Sequence, residues 1–429
     1  MLNLGSPYQG YVYSYPHKTA YRALSPPVPL ARAWADEDRG RLFAYAHVPF
    51  CEMRCGFCNL FTTAGPPEAL VERWLSAWRA EVEATAAALG GARFARFAIG
   101  GGTPTWLTVE QLTAVFDGLA ALGVDCGAIP GSVEVSPGTV TADKAALLIE
   151  RGTTRISMGV QSLVLSETEA VYRPQSIAAV ESAIAVLRDA AAPILNLDLM
   201  YGLPGQTEAS WRHTLRRVLS FEPEELYLYP LYVREQTGLG RHGEPQGPGD
   251  DEPRLRLYRI ARELLEGAGY HQRSMRLFCR AHVPGGPVYR CQEDGMVGVG
   301  VGARSYTQRL HWSTPFAVGA RGIRGIIEDW IASDPSRIRW GIALDEAEQR
   351  RRWLILSLLC SEGADAQRYP FGELEADFPE LRALLEAGLA ERRGAVVRLT
   401  PAGLERSDAI GPWLISRPIR ERMDAAEIA

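Results

Sequence analysis

The octapeptide Cys51-Glu52-Met53-Arg54-Cys55-Gly56-Phe57-Cys58 carries three cysteines on one short loop, with the spacing C-x3-C-x2-C. Thiols this close in sequence can converge on one inorganic core. Cysteine thiolates are the usual ligands of iron–sulfur clusters, and a 4Fe-4S cluster needs four of them for full ligation. A loop that offers three leaves one iron open, as a catalytic metal site requires. The loop therefore predicts a 4Fe-4S cluster held by Cys51, Cys55 and Cys58.

Two other uses of these cysteines agree less well with the sequence. A disulfide framework is disfavoured because the chain has only seven cysteines in 429 residues, an odd number. A zinc site would require a fourth cysteine or histidine at a compatible spacing. His47 precedes the loop, on a predicted strand that runs into it, and is a poor candidate for that ligand.

The bulk composition limits the class of protein. A chain of 429 residues predicts two domains, or one large domain with an appendage. The sequence contains no run of about 20 apolar residues and no basic, apolar leader typical of a signal peptide. We therefore expect a cytoplasmic protein with no membrane partner. The net charge of −5 argues against a broad nucleic-acid surface.

After the cysteine loop, predicted strands alternate with helices of 10 residues or more, and this alternation is typical of parallel βαβ units. Six repeats, counted from the strand before the loop, predict an α/β fold with a partial (β/α)6 barrel. Such barrels carry their chemistry at the C-terminal ends of the strands. The predicted helices span 68–89, 109–122, 141–151, 177–190 and 208–219, and the following strands span 94–99, 132–135, 155–160, 194–200 and 226–231.

The last part of the chain has a different pattern. A helix at 346–359, a shorter helix at 381–385, short strands and a turn at 400–403 predict a helical, winged-helix-like domain. It has no cluster of basic residues on one helix, so we expect it to pack on the barrel or cover substrate. We thus predict an N-terminal arm (1–40), a partial barrel with an extension (41–335) and a C-terminal winged-helix-like domain (336–429).

Three further segments, at the ends of later predicted strands, identify a family resemblance. They are Gly100 to Thr105 (GGGTPT), Gly152 to Ser162 (GTTRISMGVQS) and Asn196 to Thr207 (NLDLMYGLPGQT). Glycines at a strand end remove Cβ atoms and let a ligand approach the backbone. Together with the cysteine loop, the segments resemble the radical S-adenosylmethionine (SAM) enzymes, in particular the oxygen-independent coproporphyrinogen III oxidase family. The resemblance is good over roughly residues 40 to 235.

The resemblance implies a cofactor set and a binding site. SAM would chelate the open iron and be cleaved to a 5′-deoxyadenosyl radical, with flavodoxin or ferredoxin as electron donor. A second SAM would bind near the first. A carboxylate can hold ribose hydroxyls or an ammonium group, and an arginine can pair with the methionine carboxylate. By motif, the residues that would bind SAM are Gly101, Gly102, Thr103, Glu134, Gln161, Arg173 and Asp198.

Two residues are candidate catalytic groups. Tyr45 would lie beside the cluster, although a tyrosine in this position can also be a core aromatic. Cys291 could be a reactive thiol in a segment, Tyr289 to Met296, that differs from the oxidase pattern; it can also be a free cysteine with no role. Tyr11 to Arg22 is dense in aromatic and basic residues. That leader fits either a lid over a flat aromatic or anionic substrate or an ordered arm packed on the barrel.

The resemblance leaves the reaction open. The oxidases carry a further cysteine two residues after the third ligand, where this chain has Leu60. We therefore expect class C-type methyl or methylene transfer to an sp2 carbon of a specialised metabolite, on an aromatic or tetrapyrrole-like small molecule. The alternatives are coproporphyrinogen oxidation or haem-degrading radical chemistry, and a non-catalytic haem chaperone.

Overall fold

The computed structural model describes residues 2–242, 248–280 and 289–426. Within these ranges, no helix is both long enough and apolar enough to cross a membrane. The strands of the first half are β1 Arg22–Pro29, β2 Leu42–Val48, β3 Phe50–Cys51, β4 Thr63–Ala64, β5 Phe94–Gly101, β6 Gly131–Val135, β7 Arg155–Gln161, β8 Ile194–Tyr201 and β9 Glu225–Pro230. Those of the second half are β10 Tyr270–Gln272, β11 Leu277–Arg280, β12 Met296–Val299, β13 Arg304–Tyr306, β14 Leu310–Ser313, β15 Arg337–Ala343, β16 Ala364–Asp365, β17 Ala390–Arg393 and β18 Val396–Leu399.

The α-helices are also given in chain order. The first eight are α1 Leu30–Trp34, α2 Glu68–Leu89, α3 Val109–Ala121, α4 Ala142–Glu150, α5 Leu165–Glu169, α6 Ile177–Asp189, α7 Glu208–Leu219 and α8 Gly238–His242. The others are α9 Asp251–Gly267, α10 Ala320–Ile331, α11 Glu346–Leu358, α12 Leu374–Asp377, α13 Glu380–Glu386, α14 Pro401–Leu404, α15 Ser407–Leu414 and α16 Arg417–Asp424.

A parallel sheet with the order β2-β5-β6-β7-β8-β9 forms the centre of the molecule. Helices of the βαβ units alternate with these strands along the chain, which confirms the predicted α/β fold with a partial (β/α)6 barrel. The inner strands are buried almost along their whole length, as in β8. This is typical of parallel strands that are covered on both faces. The six strands therefore end on one rim.

Short strands that were not predicted extend this sheet at both edges. On the β2 side the order continues β12-β13-β14-β15-β1, and on the β9 side it continues β11-β10. Most of these strands have three or four residues, too few to show a period of two in sequence. The large sheet thus contains β1 from the predicted N-terminal arm and β15 from just beyond the boundary predicted at 335/336. The division into three domains remains a prediction.

The C-terminal region is helical with a small antiparallel sheet, β16-β18-β17. Helices α11 to α13 and this sheet have the order expected for a winged-helix-like fold. Its apolar core includes Trp353 and Ile410, and the leader contributes Tyr15 and Tyr21 to the same core. The leader is therefore an ordered part of the structure, packed between the C-terminal region and the sheet.

Candidate functional site

The cysteine loop is fixed at its base by a short pair of parallel strands. Phe50 pairs with Thr63 and Cys51 with Ala64, so β3 and β4 hold the two ends of the loop together. Within the loop, the amide of Cys58 donates to the carbonyl of Cys55 at 3.1 Å. These backbone bonds define the shape of the loop without using the thiols. All three cysteines are free and partly exposed.

Each thiol of the loop has its own polar neighbour. Thr103 Oγ1 lies 3.7 Å from Sγ of Cys51 and can donate to it. Arg173 donates from Nη1 to Sγ of Cys55 at 3.3 Å. Hydrogen bonds to cluster sulfurs are one means by which proteins tune iron–sulfur centres. The third thiol, Cys58, lies 3.9 Å from the hydroxyl oxygen of Thr62.

This donor set fits an iron–sulfur cluster better than a single metal ion. In the described part of the chain, no group of three His, Cys, Asp or Glu side chains is gathered closely enough to hold one ion. A cubane of four irons keeps its thiolate ligands further apart than one ion does. Burial raises the pKa of Cys51 to about 11, and the neighbouring cysteines add to the shift. Metal binding at this thiol must therefore release a proton.

The glycines at the end of β5 allow the backbone to pass closely behind the cysteine loop. A Cβ on Gly102 would lie 2.4 Å from the carbonyl oxygen of Phe50 and 3.0 Å from Sγ of Cys51. Gly101 has φ +110°, and a Cβ there would lie 2.5 Å from the ring of His47. Only glycine satisfies both limits. Thr103 follows, and its amide donates to Phe50 at 2.7 Å.

Two carboxylates face the same rim, from β6 and β8. Glu134 accepts a hydrogen bond from the amide of Gly101 at 2.9 Å. Asp198 accepts one from Asn196 at 2.7 Å and a longer one from Ser157 at 3.4 Å. Burial raises the pKa of Glu134 to about 6, and Asp198 contributes to the increase. The two carboxylates are thus close enough to interact electrostatically.

Glu134 is an exposed residue, yet burial is the largest cause of the raised pKa of its carboxyl group. The two observations agree if the carboxylate lines a concave space inside the barrel mouth. Burial also raises the pKa of Asp198 to about 6, although Arg155 counteracts the increase. Two carboxylates at one rim are suited to accepting hydrogen bonds from hydroxyl or ammonium groups.

The end of β7 brings Gln161 and Arg173 together. The register of β7 against β8 shifts between Gly159 and Gln161, and Gln161 has φ 65°. A Cβ on Gly159 would lie 3.0 Å from Nε2 of Gln161 and 3.3 Å from Nη2 of Arg173. Arg173 donates to the Gly159 carbonyl at 2.7 Å and thereby links this strand end to Cys55.

Tyr45 belongs to a short hydrogen-bonded chain on β2. Its hydroxyl lies 3.2 Å from Nδ1 of His47, and Nε2 of His47 lies 3.0 Å from the Phe61 carbonyl. Since a carbonyl only accepts, His47 donates from Nε2, and its Nδ1 accepts from Tyr45. Burial, with a smaller effect of Lys18, lowers the pKa of His47 to about 3. His47 is therefore neutral and orients the tyrosine.

The contacts of Cys291 are with residues outside the cysteine loop. Its Sγ is 3.7 Å from Oε1 of Gln292, and its carbonyl accepts a hydrogen bond from Arg352 of α11. Burial raises the pKa of Cys291 despite the nearby arginines. The thiol is thus protonated at neutral pH, which is unfavourable for a nucleophile.

Sequence reasoning did not single out Asn196 and Ser157, two polar residues that support the rim. Asn196 is fully buried and donates to both Ser157 and Asp198, at 2.7 Å each. Buried amides inside a hydrophobic strand are uncommon. The sequence signal was available, because Asn196 and Asp198 are the two polar residues in a strand that is otherwise apolar.

The comparisons with known proteins agree with this geometry. The family model described as "Radical SAM superfamily" matches residues 45–218. The haem chaperone HemW of Bacillus subtilis is 30% identical over 384 residues, which cover 86% of this chain and 98% of HemW. The oxygen-independent coproporphyrinogen III oxidase of Paracoccus denitrificans is 31% identical over 278 residues. That match covers 63% of this chain and 60% of the oxidase.

Among solved structures, the coproporphyrinogen III oxidase HemN from Escherichia coli, described as a radical SAM enzyme, has the same fold. The TM-score is 0.77 at 23% identity, over 94% of this chain and 96% of HemN. None of these three relatives is named as a class C methyltransferase, so the predicted preference for methyl transfer has no support from them. The chain belongs to the radical SAM superfamily, in the family of the haem chaperone HemW and the oxygen-independent coproporphyrinogen III oxidases.

Proposed function

We propose that this radical SAM enzyme abstracts a hydrogen atom from a small, planar, tetrapyrrole-like molecule at the C-terminal rim of its barrel. The observation that carries the proposal is the position of Arg173. One guanidinium group contacts both the thiol of Cys55 and the end of β7. Residues that would hold the cluster and residues that would hold SAM are thereby joined in a single site.

The cofactors are a 4Fe-4S cluster and SAM, as in the rest of the superfamily. When bound, the cluster supplies the electron that cleaves SAM to methionine and the 5′-deoxyadenosyl radical. In this proposal Cys51, Cys55 and Cys58 hold the cluster, and flavodoxin or ferredoxin is the electron donor. Gly101 and Gly102, which let this strand end lie against the cysteine loop, would border SAM.

The remaining rim residues would hold SAM in place. Asp198 and Glu134 would accept from its ribose hydroxyls or its ammonium group, and Arg173 would pair with its carboxylate. Gln161, with its left-handed backbone, would present its amide at the bulge of β7. Tyr45, hydrogen-bonded to the neutral ring of His47, would lie beside the reacting groups with a fixed orientation.

The substrate class follows from the relatives and from the lining of the mouth. The relatives are named for haem carriage and for oxidation of coproporphyrinogen III, both of which involve tetrapyrroles. Tyr227 and Tyr229 stack at 5.7 Å on the strand next to Asp198. Tyr11 of the leader is 41% exposed, and Tyr13 is exposed as well. Such ring faces favour a flat, conjugated ligand.

Incubation of the anaerobically reconstituted protein with SAM and dithionite separates an enzyme from a chaperone. We expect release of 5′-deoxyadenosine, even slowly and without substrate, and its loss in Cys55→Ala. Haem binding without any 5′-deoxyadenosine, from protein with a full complement of iron, would instead support a non-catalytic chaperone.

Methyl transfer is a second candidate because Leu60 occupies the position of the additional oxidase cysteine and is 53% exposed in the cysteine loop. SAM with a deuterated methyl group tests it. Methyl transfer would produce deuterated 5′-deoxyadenosine and S-adenosylhomocysteine. Oxidation of a propionate side chain would release carbon dioxide and give unlabelled 5′-deoxyadenosine without S-adenosylhomocysteine.

A further inference from the structure

Two buried arginines, on β13 and α11, have no carboxylate partner in the described part of the chain. Arg304 on β13 is 9% exposed and Arg352 on α11 is 5% exposed. Lys18 of the leader is the third cation of this group, and it also lacks an ion pair among the described residues. We call these three residues the cationic group.

Among the described residues, the side chains of the cationic group contact neutral partners. Lys18 donates to the Gly302 carbonyl, and Arg304 donates to the hydroxyl of Ser14. Arg304 also lies over the ring of Tyr13, with 5.2 Å between the guanidinium carbon and the ring centroid. Neutral partners of this kind orient a cation but do not neutralise it.

Arg352 shows the same arrangement. It donates to the carbonyl of Cys291, and its guanidinium carbon lies 4.6 Å from the ring centroid of Tyr306. The Nε of Arg304 is buried and has no hydrogen-bond partner in the part of the chain that the structure describes. This N–H is available to donate to a ligand.

Two other arginines of this chain, the buried Arg276 and the partly buried Arg155, have carboxylate partners. Arg276 and Asp408, 3% and 1% exposed at their side chains, form an ion pair. Arg155 pairs with Glu225 at 2.6 Å. Since an unpaired buried charge is costly, an anionic ligand at the cationic group would be stabilising.

The cationic group produces a positive local potential. The pKa of Lys18 falls to about 7 because of burial and of Arg304. The pKa of His17 falls to about 3 because of burial and then of Arg304 and Lys18. His311 has its pKa lowered by burial, Arg352 and Arg304. No carboxylate acts on any of these three groups in the opposite direction.

The cationic group borders the proposed active site. The pKa of Tyr45 is raised by burial and then by Glu134 and Tyr13, while Arg304 lowers it. Tyr45 is thus near the rim carboxylate, the leader and Arg304 together. The leader ring Tyr13, against which Arg304 packs, is 47% exposed. A flat ligand at this ring would extend from the reacting rim towards the cations.

We propose that Lys18, Arg304 and Arg352 bind an oxyanion, a carboxylate or a phosphate, of the substrate, whose planar part lies on Tyr11 and Tyr13. The inference rests on the proposed function only in placing substrate at this mouth. Arginine forms paired hydrogen bonds to oxyanions, and lysine adds a point charge. The cationic group would thereby select anionic over neutral planar molecules.

Fluorescence anisotropy of 1-pyrenebutyrate, with 1-pyrenebutanol as its neutral match, tests the proposal on the reconstituted protein. We expect the carboxylate to bind at least about tenfold more tightly than the alcohol, since bonds to charged groups have this magnitude. Arg304→Gln and Arg352→Gln should each remove most of the difference. Arg324→Gln, an exposed arginine on α10, is the matched control and should leave it unchanged.

Competition identifies the oxyanion. If acetate displaces the bound 1-pyrenebutyrate and inorganic phosphate does not, the site binds a carboxylate. The reverse result assigns a phosphate site. Arg304→Lys retains the charge and should retain part of the discrimination, which separates charge recognition from misfolding of the Gln variant. Unaltered near-ultraviolet circular dichroism is required of each variant.

Two outcomes would overturn the inference. Equal affinity for 1-pyrenebutyrate and 1-pyrenebutanol would show that the cationic group is not an anion site. An equal loss of SAM affinity and of probe affinity in Arg304→Gln would assign the cations to the cofactor instead. Release of 5′-deoxyadenosine in the absence of substrate reports on the proposed function separately, so either idea can fail without the other.

Discussion

Arg173 donates a hydrogen bond to Sγ of Cys55 at 3.3 Å, although the two residues are 118 positions apart in the chain. The same guanidinium donates to Gly159 at 2.7 Å and to Gln175 at 3.2 Å. Arg173 therefore connects the cysteine loop, the end of β7 and the segment after α5.

Replacing Arg173 tests this connection. We expect Arg173→Ala to weaken SAM binding by about 1.5–3 kcal/mol, the usual contribution of a hydrogen bond to a charged group. The measurement is a SAM dissociation constant on protein with full iron content. Arg217→Ala, on the outer helix α7, is the control. Unchanged affinity in Arg173→Ala would exclude it from the SAM site.

The three cysteines of the loop should be equivalent for cluster assembly. After anaerobic reconstitution we expect about four irons per chain, as for one cubane cluster. Replacing Cys51, Cys55 or Cys58 with Ala should abolish SAM cleavage and remove most of the iron. Cys126→Ala is the control, because Cys126 precedes β6 and lies at the opposite end of the barrel strands. SAM cleavage at the wild-type rate in any loop variant would refute the ligand assignment.

Asp198 should make the apoprotein less stable as the pH rises. Its folded pKa of about 6 lies above its usual value of 3.8, so the folded state binds the proton more tightly. Stability is then lost as the pH rises from about 4 to about 6. Asp198→Asn removes the charge that is unfavourable in the folded state, so it should raise the free energy of unfolding at pH 8. We expect a gain of about 1–2 kcal/mol, which is less than the full pKa shift would give, because the carboxylate is partly exposed.

Urea unfolding at pH 4 and pH 8 measures this effect. The gain in Asp198→Asn should be absent at pH 4, where the carboxyl is protonated in both states. Asp36→Asn, at an exposed position, should show no such difference. A gain of equal size at both pH values would show that the charge of Asp198 is not its cause.

The buried ion pair of Arg276 and Asp408 should hold the C-terminal region on the sheet. Asp408 also accepts from the hydroxyl of Tyr232, and its carbonyl accepts from the amides of Gln9 and Gly10 at 3.1 Å each. Asp408→Asn leaves a buried, unpaired cation, so we expect a loss of about 3–5 kcal/mol in the free energy of unfolding.

The exposed ion pair of Arg73 and Glu328 is the matched control, with side chains 52% and 46% exposed. Glu328→Gln should change the free energy of unfolding by less than about 1 kcal/mol. Chemical denaturation of both variants makes the comparison. Similar small losses in the two variants would show that Arg276 and Asp408 do not join the regions energetically.

The regular part of the fold could be predicted closely. Helices α2 and α7 have the predicted bounds, 68–89 and 208–219, because each has a long apolar stripe at helical spacing. Strands β10 to β14 could not be predicted. They are too short for a periodic signal, and their pairing with β2 and β9 depends on contacts distant in sequence.

The sequence by itself determined the spacing of the three thiols and the succession of βα units. Both are local: the cysteines lie within eight residues, and the hydrophobic period repeats within each element. Parallel strands then bring the motifs at their ends to one rim. Only the tertiary structure decided which side chains meet there. The contact of Arg173 with Cys55 joins segments that are separated by whole elements. The packing of Arg304 on Tyr13 and of Arg352 on Tyr306 likewise depends on contacts that no local pattern records.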